Sequence, residues 1–258
     1  MDKRKVIYYE DELNDEFSVA RITPKTIDGD WVYCHNSAFG KFAHFFWYRI
    51  VAMPVAFLFC KLKFRHKKVN AGVIKKTTRG GYFLYGNHTQ DIGDAFIPNL
   101  IDPATDKYII VHPNNVSIKI IGSVTPSLGA LPLPDDMNAY TNFVKAVDGR
   151  IKEKKAVVIY PEAHIWPYYT KIRPFSDASF HYPVRLDAPV FAFTNTYHKR
   201  KFGKEPRIIT YIDGPFYPDK SLPVKERKKK LRDEVYEAMC RAAERSDVEI
   251  VKYIKKNG

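Results

Sequence analysis

Two short stretches carry residues whose types and spacing could do chemistry. The first is Gly86-Asn87-His88-Thr89-Gln90-Asp91-Ile92-Gly93-Asp94, a histidine followed by carboxylates three and six residues later. A neutral imidazole can take a proton from an alcohol near pH 7, and a nearby carboxylate can fix its tautomer and stabilise the imidazolium that forms. No serine or cysteine lies within a few residues of His88, so the attacking group is expected to come from a substrate. On an ideal helix Asp91 would face the histidine better than Asp94, whereas a loop leaves both carboxylates open. The second stretch is Pro161-Glu162-Ala163-His164, followed by Trp166, Tyr168 and Tyr169. Glu162 could bind an acceptor hydroxyl or brace the site, His164 could contact an acceptor, and the aromatics could wall a pocket or belong to the core. His88, His164 and His181 have no metal-ligand spacing, and no cysteine pair or acidic cluster joins them, so no metal is expected.

Each stretch follows a short apolar run, Tyr82-Phe83-Leu84-Tyr85 for the first and Ala156-Val157-Val158-Ile159-Tyr160 for the second. Such runs read as buried strands that deliver functional residues to their C-terminal ends, where open α/β sheets keep their sites. Further strands are expected at Lys107 to Val111, Val190 to Phe193 and Ile208 to Ile212, with an edge or loop at Gly129 to Pro134 because of its prolines. A short helix from Ala95 should stop near Pro98 or Pro103. Asp135 or Asp136 could cap another in which Phe143, Val144, Val147 and Ile151 share a face. A long basic helix from about Val224 to Arg245 places Leu231, Val235 and Met239 at i, i+4 and i+8, with its lysines as a solvated face. The pattern predicts an α/β fold with a central, mostly parallel sheet flanked by helices.

The chain has 258 residues, 45% of them hydrophobic, and a net charge of +13. That length supports a substantial core, and the charge favours an anionic partner. No zinc finger, helix-turn-helix or aromatic ribonucleoprotein signature points to nucleic acid. Three widely spaced cysteines suggest no disulfide framework and fit a reducing compartment. Residues 1 to 15 are largely charged and lack an apolar stretch, so no secretory signal is expected and residues 1–41 read as a polar surface segment. Residues 42–68 read as a membrane-associating helical segment. The apolar run from Phe42 to Leu62 is interrupted by His44, Arg49 and Pro54 and followed by Lys61, Lys63, Arg65, Lys67 and Lys68, which predicts an interfacial or re-entrant helix pair. A buried core helix is the alternative. Residues 69–258 would form the α/β domain.

The blocks Asn87-His88 with a following aspartate, Gly129-Ala130-Leu131-Pro132-Leu133-Pro134, Val158-Ile159-Tyr160-Pro161-Glu162, Pro174-Phe175 and Ala188-Pro189-Val190 occur in an order that resembles the glycerolipid acyltransferases typified by lysophosphatidate acyltransferases. The resemblance covers roughly residues 82 to 194. It implies transfer of a fatty acyl group from an acyl-CoA or acyl-ACP thioester to a hydroxyl of a lipid acceptor, a lysophospholipid or related glycerolipid. It also implies no cofactor beyond that co-substrate, and a place on the cytoplasmic face of an anionic membrane as a peripheral or monotopic protein. The family aspartate lies five residues after the histidine, a position held here by Gly93. A one-residue insertion brings in Asp94, whose continuation Ala95-Phe96-Ile97 matches the apolar helix that follows it in the family. His88 and Asp94 are therefore the implied catalytic pair, with backbone N–H groups after the strand as candidate oxyanion donors. Asn87 and Glu162 are the implied substrate-binding residues, and His164, which stands where the family has threonine, is a further candidate on its own chemistry. The family arginines that would hold an acceptor phosphate are missing, since Ile165 ends the third block and Pro134-Asp135 the second, and Lys171 and Arg173 are the candidate replacements. These departures leave a second reading, a catalytically inactive lipid-binding protein of the same fold.

Overall fold

The computed structural model describes residues 4–17, 23–33, 37–119, 121–203 and 205–256. In chain order the strands are β1 (Lys5–Tyr9), β2 (Lys67–Val69), β3 (Tyr82–Gly86), β4 (Lys107–Val111), β5 (Ala130–Pro132), β6 (Ala156–Ile159), β7 (Val190–His198), β8 (Arg207–Phe216) and β9 (Val251–Lys255). The helices are α1 (Ala38–His44), α2 (Met53–Lys63), α3 (Gly72–Thr77), α4 (Gly93–Ile101), α5 (Asn114–Ser117), α6 (Met137–Lys152), α7 (His181–Leu186) and α8 (Val224–Ala243). Seven strands form one sheet in the order β2-β8-β7-β3-β6-β4-β5, parallel throughout except for the antiparallel β7–β8 hairpin. This is the mostly parallel α/β sheet that the alternation of apolar runs and helical patterns predicts.

Strand β3 lies at the centre and is buried along its whole length, so both of its faces must be apolar. Phe83 and Tyr85 join Phe143 and Val147 of α6 and Leu231, Val235 and Met239 of α8 on one face. Tyr82 and Leu84 join Ile74, Val158, Phe191, Phe193 and Ile212 on the other. Asp136 caps α6, its carboxylate accepting from the Ala139 N–H at 2.8 Å. Ala130–Pro132 is the edge strand that its prolines require.

Three expectations are revised. Residues 5–9, within the stretch read as a polar surface segment, form a largely exposed strand, since β1 pairs in parallel with β9. Lys67 and Lys68, read as the end of the membrane segment, belong with Val69 to an edge strand against β8. The helix pair is one continuous helix, Ala38–Lys63, in which a π-helical segment, Phe45–Ala52, joins α1 to α2. Pro54 does not break it, because Met53 N–H already bonds five residues back to the Tyr48 carbonyl and this widened turn absorbs the proline.

Candidate active site

His88 and Glu162 emerge from the C-terminal ends of adjacent parallel strands, β3 and β6. The two loops meet because the strand ends are held at close range. Gly86 has no room for a side chain, as a Cβ there would lie 2.1 Å from the Phe193 ring on β7. The next residue, Asn87, clamps the same neighbour: its amide donates to the Asn195 carbonyl at 3.0 Å and accepts from the Asn195 N–H at 2.8 Å.

His88 Nδ1 lies 2.8 Å from Asp94 Oδ2. The same oxygen accepts the N–H groups of Thr89 and Gln90, each at 2.9 Å, and Asn195 approaches the other oxygen at 3.4 Å. An oxygen that collects N–H donors holds its ionised form, and it fixes the proton of the neutral imidazole on Nδ1. Nε2 is left as the basic nitrogen, with no hydrogen-bond partner among the described residues. Burial pushes the Asp94 carboxyl upward, against the pull of His88 and the two backbone donors. Asp94 is reached through a loop followed by the first turn of α4, which is why a residue six positions on meets the histidine while Asp91 stays exposed.

Tyr160 completes the pair and was missed in the sequence. Its ring stacks on His88 at 4.5 Å between centroids, and its hydroxyl donates to the Asp94 carbonyl at 2.5 Å. That carbonyl is open because Pro98, four residues on within α4, has no N–H to give it. The combination of a strand-end tyrosine and a proline four residues after the aspartate is the signal that could have found it.

Glu162 is buried and brackets the backbone. One oxygen accepts the His88 N–H at 2.8 Å and the other the Arg173 N–H at 2.8 Å. Burial raises its carboxyl, and Arg173 is the main opposing influence. Arg173, 1% exposed, turns inward and donates to the carbonyls of Glu162, His164 and Glu12. Asn87 and Arg173, expected to touch substrate, turn their side chains to partners inside the protein, although Arg173 Nε has no hydrogen-bond partner among the described residues, and Glu162 takes the bracing position that the sequence also allows. The oxyanion expectation changes as well, because the N–H groups of residues 88, 89 and 90 are all taken by carboxylates. His164 lies at the surface, its Nδ1 3.0 Å from Glu16, and Lys171 is exposed.

The loop after Glu162 is zipped to the histidine loop, with Trp166 and Tyr168 N–H groups donating to the carbonyls of His88 and Thr89. Residues 9 to 17 strap across its outer side. Trp166 Nε1 donates to the Asp15 carbonyl at 2.7 Å, and its ring packs among Tyr9, Phe17, Tyr169 and Tyr253. Thus Trp166 is a core residue of the strap, and no wall of a pocket. Among the described residues no group of histidine, cysteine and acidic side chains could hold a metal ion.

No family model matches the chain, and no curated protein matches it. Among solved structures it is similar to the crystal structure of the 1-acyl-sn-glycerophosphate (LPA) acyltransferase PlsC from Thermotoga maritima, with 17% identity over 81% of this chain and 89% of that one and a TM-score of 0.56. At that identity the likeness is one of architecture: the chain shares the fold of that acyltransferase.

Proposed function

We propose that this protein is a membrane-associated O-acyltransferase that moves a fatty acyl group from a thioester, acyl-CoA or acyl-ACP, to a hydroxyl of a lysophospholipid or related glycerolipid. The observation that carries the reading is the buried Nδ1–Asp94 contact, which leaves Nε2 of His88 as a base at the mouth of the sheet. Nε2 takes the proton of the acceptor hydroxyl as its oxygen attacks the thioester carbonyl carbon. The tetrahedral oxyanion collapses, the C–S bond breaks, and the leaving thiolate takes the proton back from the imidazolium. Asp94 stabilises that cation through both transfers. No covalent enzyme intermediate is needed, which agrees with the lack of a serine or cysteine beside His88.

The helix Ala38–Lys63 supports the membrane part of the reading. One side is fastened to the domain: His44 to the Ser127 carbonyl, Tyr48 to Asn99, and Arg49 to Asp106 and the carbonyls of Pro103 and Ala104, with Ala56 and Cys60 buried. The other side exposes Phe39, Phe42, Ile50, Phe57, Leu58 and Leu62. A helix tied down along its length lies in the plane of a leaflet rather than crossing it, a monotopic arrangement. Its last residues reach the site, since Lys63 and Phe64 line one small cleft with residues 89–93 and Tyr168. On this reading the lipid face and the base share one end of the sheet, on the side of the membrane that holds the thioester donors, the cytoplasmic one.

The test is mass spectrometry of products formed from a lysolipid panel with acyl-CoA and acyl-ACP as donors, with His88→Ala alongside. An acylated product that falls by about two to four orders of magnitude in the variant is expected. Absence of product with every donor, from folded protein that still binds vesicles, would replace this reading with that of an inactive lipid-binding protein.

A further inference from the structure

The antiparallel pair β7–β8 projects beyond the sheet at the same end as His88, because β7 runs parallel to β3. Its tip carries Lys199, Arg200, Lys201 and Phe202. Phe202 is 67% exposed, as open as Leu62 at the end of the apolar helix. The Lys201 ammonium stands 5.5 Å from the centroid of its ring, so aromatic and cation form one unit. Arg200 points the other way. Its Nη1 donates to the Lys63 carbonyl at 2.7 Å and to the Glu205 carbonyl at 3.3 Å, fastening the tip to the last turn of α2. Exposed Lys61, Lys63 and Arg65 continue the basic surface from that turn. Of the acids nearby, Glu205 accepts from Tyr168 and Asp247 is engaged by His198 and the Lys199 N–H, which leaves Asp91 as the exposed acid next to Lys63 in the cleft.

We propose that the hairpin tip, residues 199–203, is a second membrane contact: Phe202 enters the headgroup layer of an anionic leaflet while Lys199 and Lys201, with the basic end of the helix, meet its phosphates. This rests on the membrane reading of the helix given above and extends it to a separate element. An exposed aromatic flanked by lysines is attracted by both layers of such a surface, the apolar boundary and the negative potential above it. A second contact beside the end of the helix, off its axis, fixes the tilt of the domain, so the mouth of the site faces the lipid. A single helix would leave rotation about its own axis free.

The experiment is vesicle co-sedimentation of the full chain with phosphatidylcholine alone and with phosphatidylcholine containing phosphatidylglycerol, for the unaltered protein, Phe202→Ala, Lys199→Gln/Lys201→Gln and the helix variant Leu58→Ser/Leu62→Ser. These side chains are exposed, and matching thermal midpoints confirm that each variant is folded. The lysine pair should lose roughly ten- to thirty-fold in partition onto anionic vesicles, with a shallower salt dependence, and keep its binding to neutral ones. Phe202→Ala should lose about fivefold on anionic vesicles. The helix variant should lose binding to both. Hairpin variants that bind anionic vesicles as the unaltered protein does overturn the proposal while the helix reading stands, also where those variants bind an acidic carrier protein less well. An unaltered protein that binds no vesicle overturns both.

Discussion

Replacing Asp94 by asparagine separates charge from shape at the proposed base. The amide has nearly the size of the carboxylate, and its oxygen can still face His88 Nδ1 and the N–H groups of Thr89 and Gln90, now at 2.8, 2.9 and 2.9 Å. What is lost is the negative charge beside the imidazolium. With charge centres about 3.5 Å apart and an effective dielectric of about 20, that attraction is roughly 5 kcal/mol. If it is realised mainly in the transition state, transfer slows by about three to four orders of magnitude, since each 1.4 kcal/mol is a factor of about ten. Should the amide nitrogen turn toward His88, it would select the wrong tautomer and the loss would be as large. The assay is initial-rate transfer from a labelled thioester at pH 7, with the thermal midpoint as control and Asp91→Asn in parallel. Exposed Asp91 should change the rate less than threefold or so. Activity of Asp94→Asn within tenfold of the unaltered protein, at an unchanged midpoint, would refute the assignment of Asp94 as the charge that supports His88, and so would an equal loss in Asp91→Asn.

Tyr160→Phe keeps the ring on His88 and removes the hydroxyl that fills the Asp94 carbonyl left open by Pro98. It should cost about 1–2 kcal/mol of stability and reduce transfer by roughly tenfold, read by thermal melting and the same rate assay. His66, whose Nε2 lies 2.9 Å from Thr210 Oγ1, is lowered by burial from 6.5 to about 4. The unfolded chain binds the proton more readily between those values, so stability falls as pH drops from about 6.5 to 4, by up to about 3 kcal/mol, and His66→Gln should flatten that acid limb of the melting curve. Ala163 adopts φ 63°, a left-handed conformation that favours glycine. Ala163→Gly should raise stability by about 0.5–1 kcal/mol, and a lower midpoint would show that the strain is not borne there.

Much of this architecture is legible in the chain because the signals are local. Period-two and continuous apolar runs mark β3, β6, β7 and β8, and the i, i+4 spacing of Leu231, Val235 and Met239 marks the buried side of α8. An aspartate before a helical pattern marks a cap. Arg173 illustrates the limit. Its charge suggests a phosphate ligand, but which way a guanidinium turns depends on carbonyls supplied by residues 162 and 164 earlier in its own loop and by residue 12 from the far end of the chain. The N-terminal residues illustrate another. Nothing in Lys5 to Tyr9 distinguishes a tail from a strand until β9 is present to pair with it.

By itself the sequence determined which chemistry is available at the head of β3 and β6: a histidine, two carboxylates and a glutamate, placed after buried strands by composition alone. Only the tertiary structure decided how those groups are spent. It set Asp94 against His88, the choice that residue spacing left open and the block resemblance implied, turned Glu162 and Arg173 to bracing, recruited Tyr160 and Asn195, and laid the apolar helix along the domain with one side bare. The physical reason is range. Strand and helix formation follow from contacts a few residues apart. The direction of a buried polar side chain is set by where its hydrogen-bond partners stand, and here those partners lie up to 161 residues away in the chain.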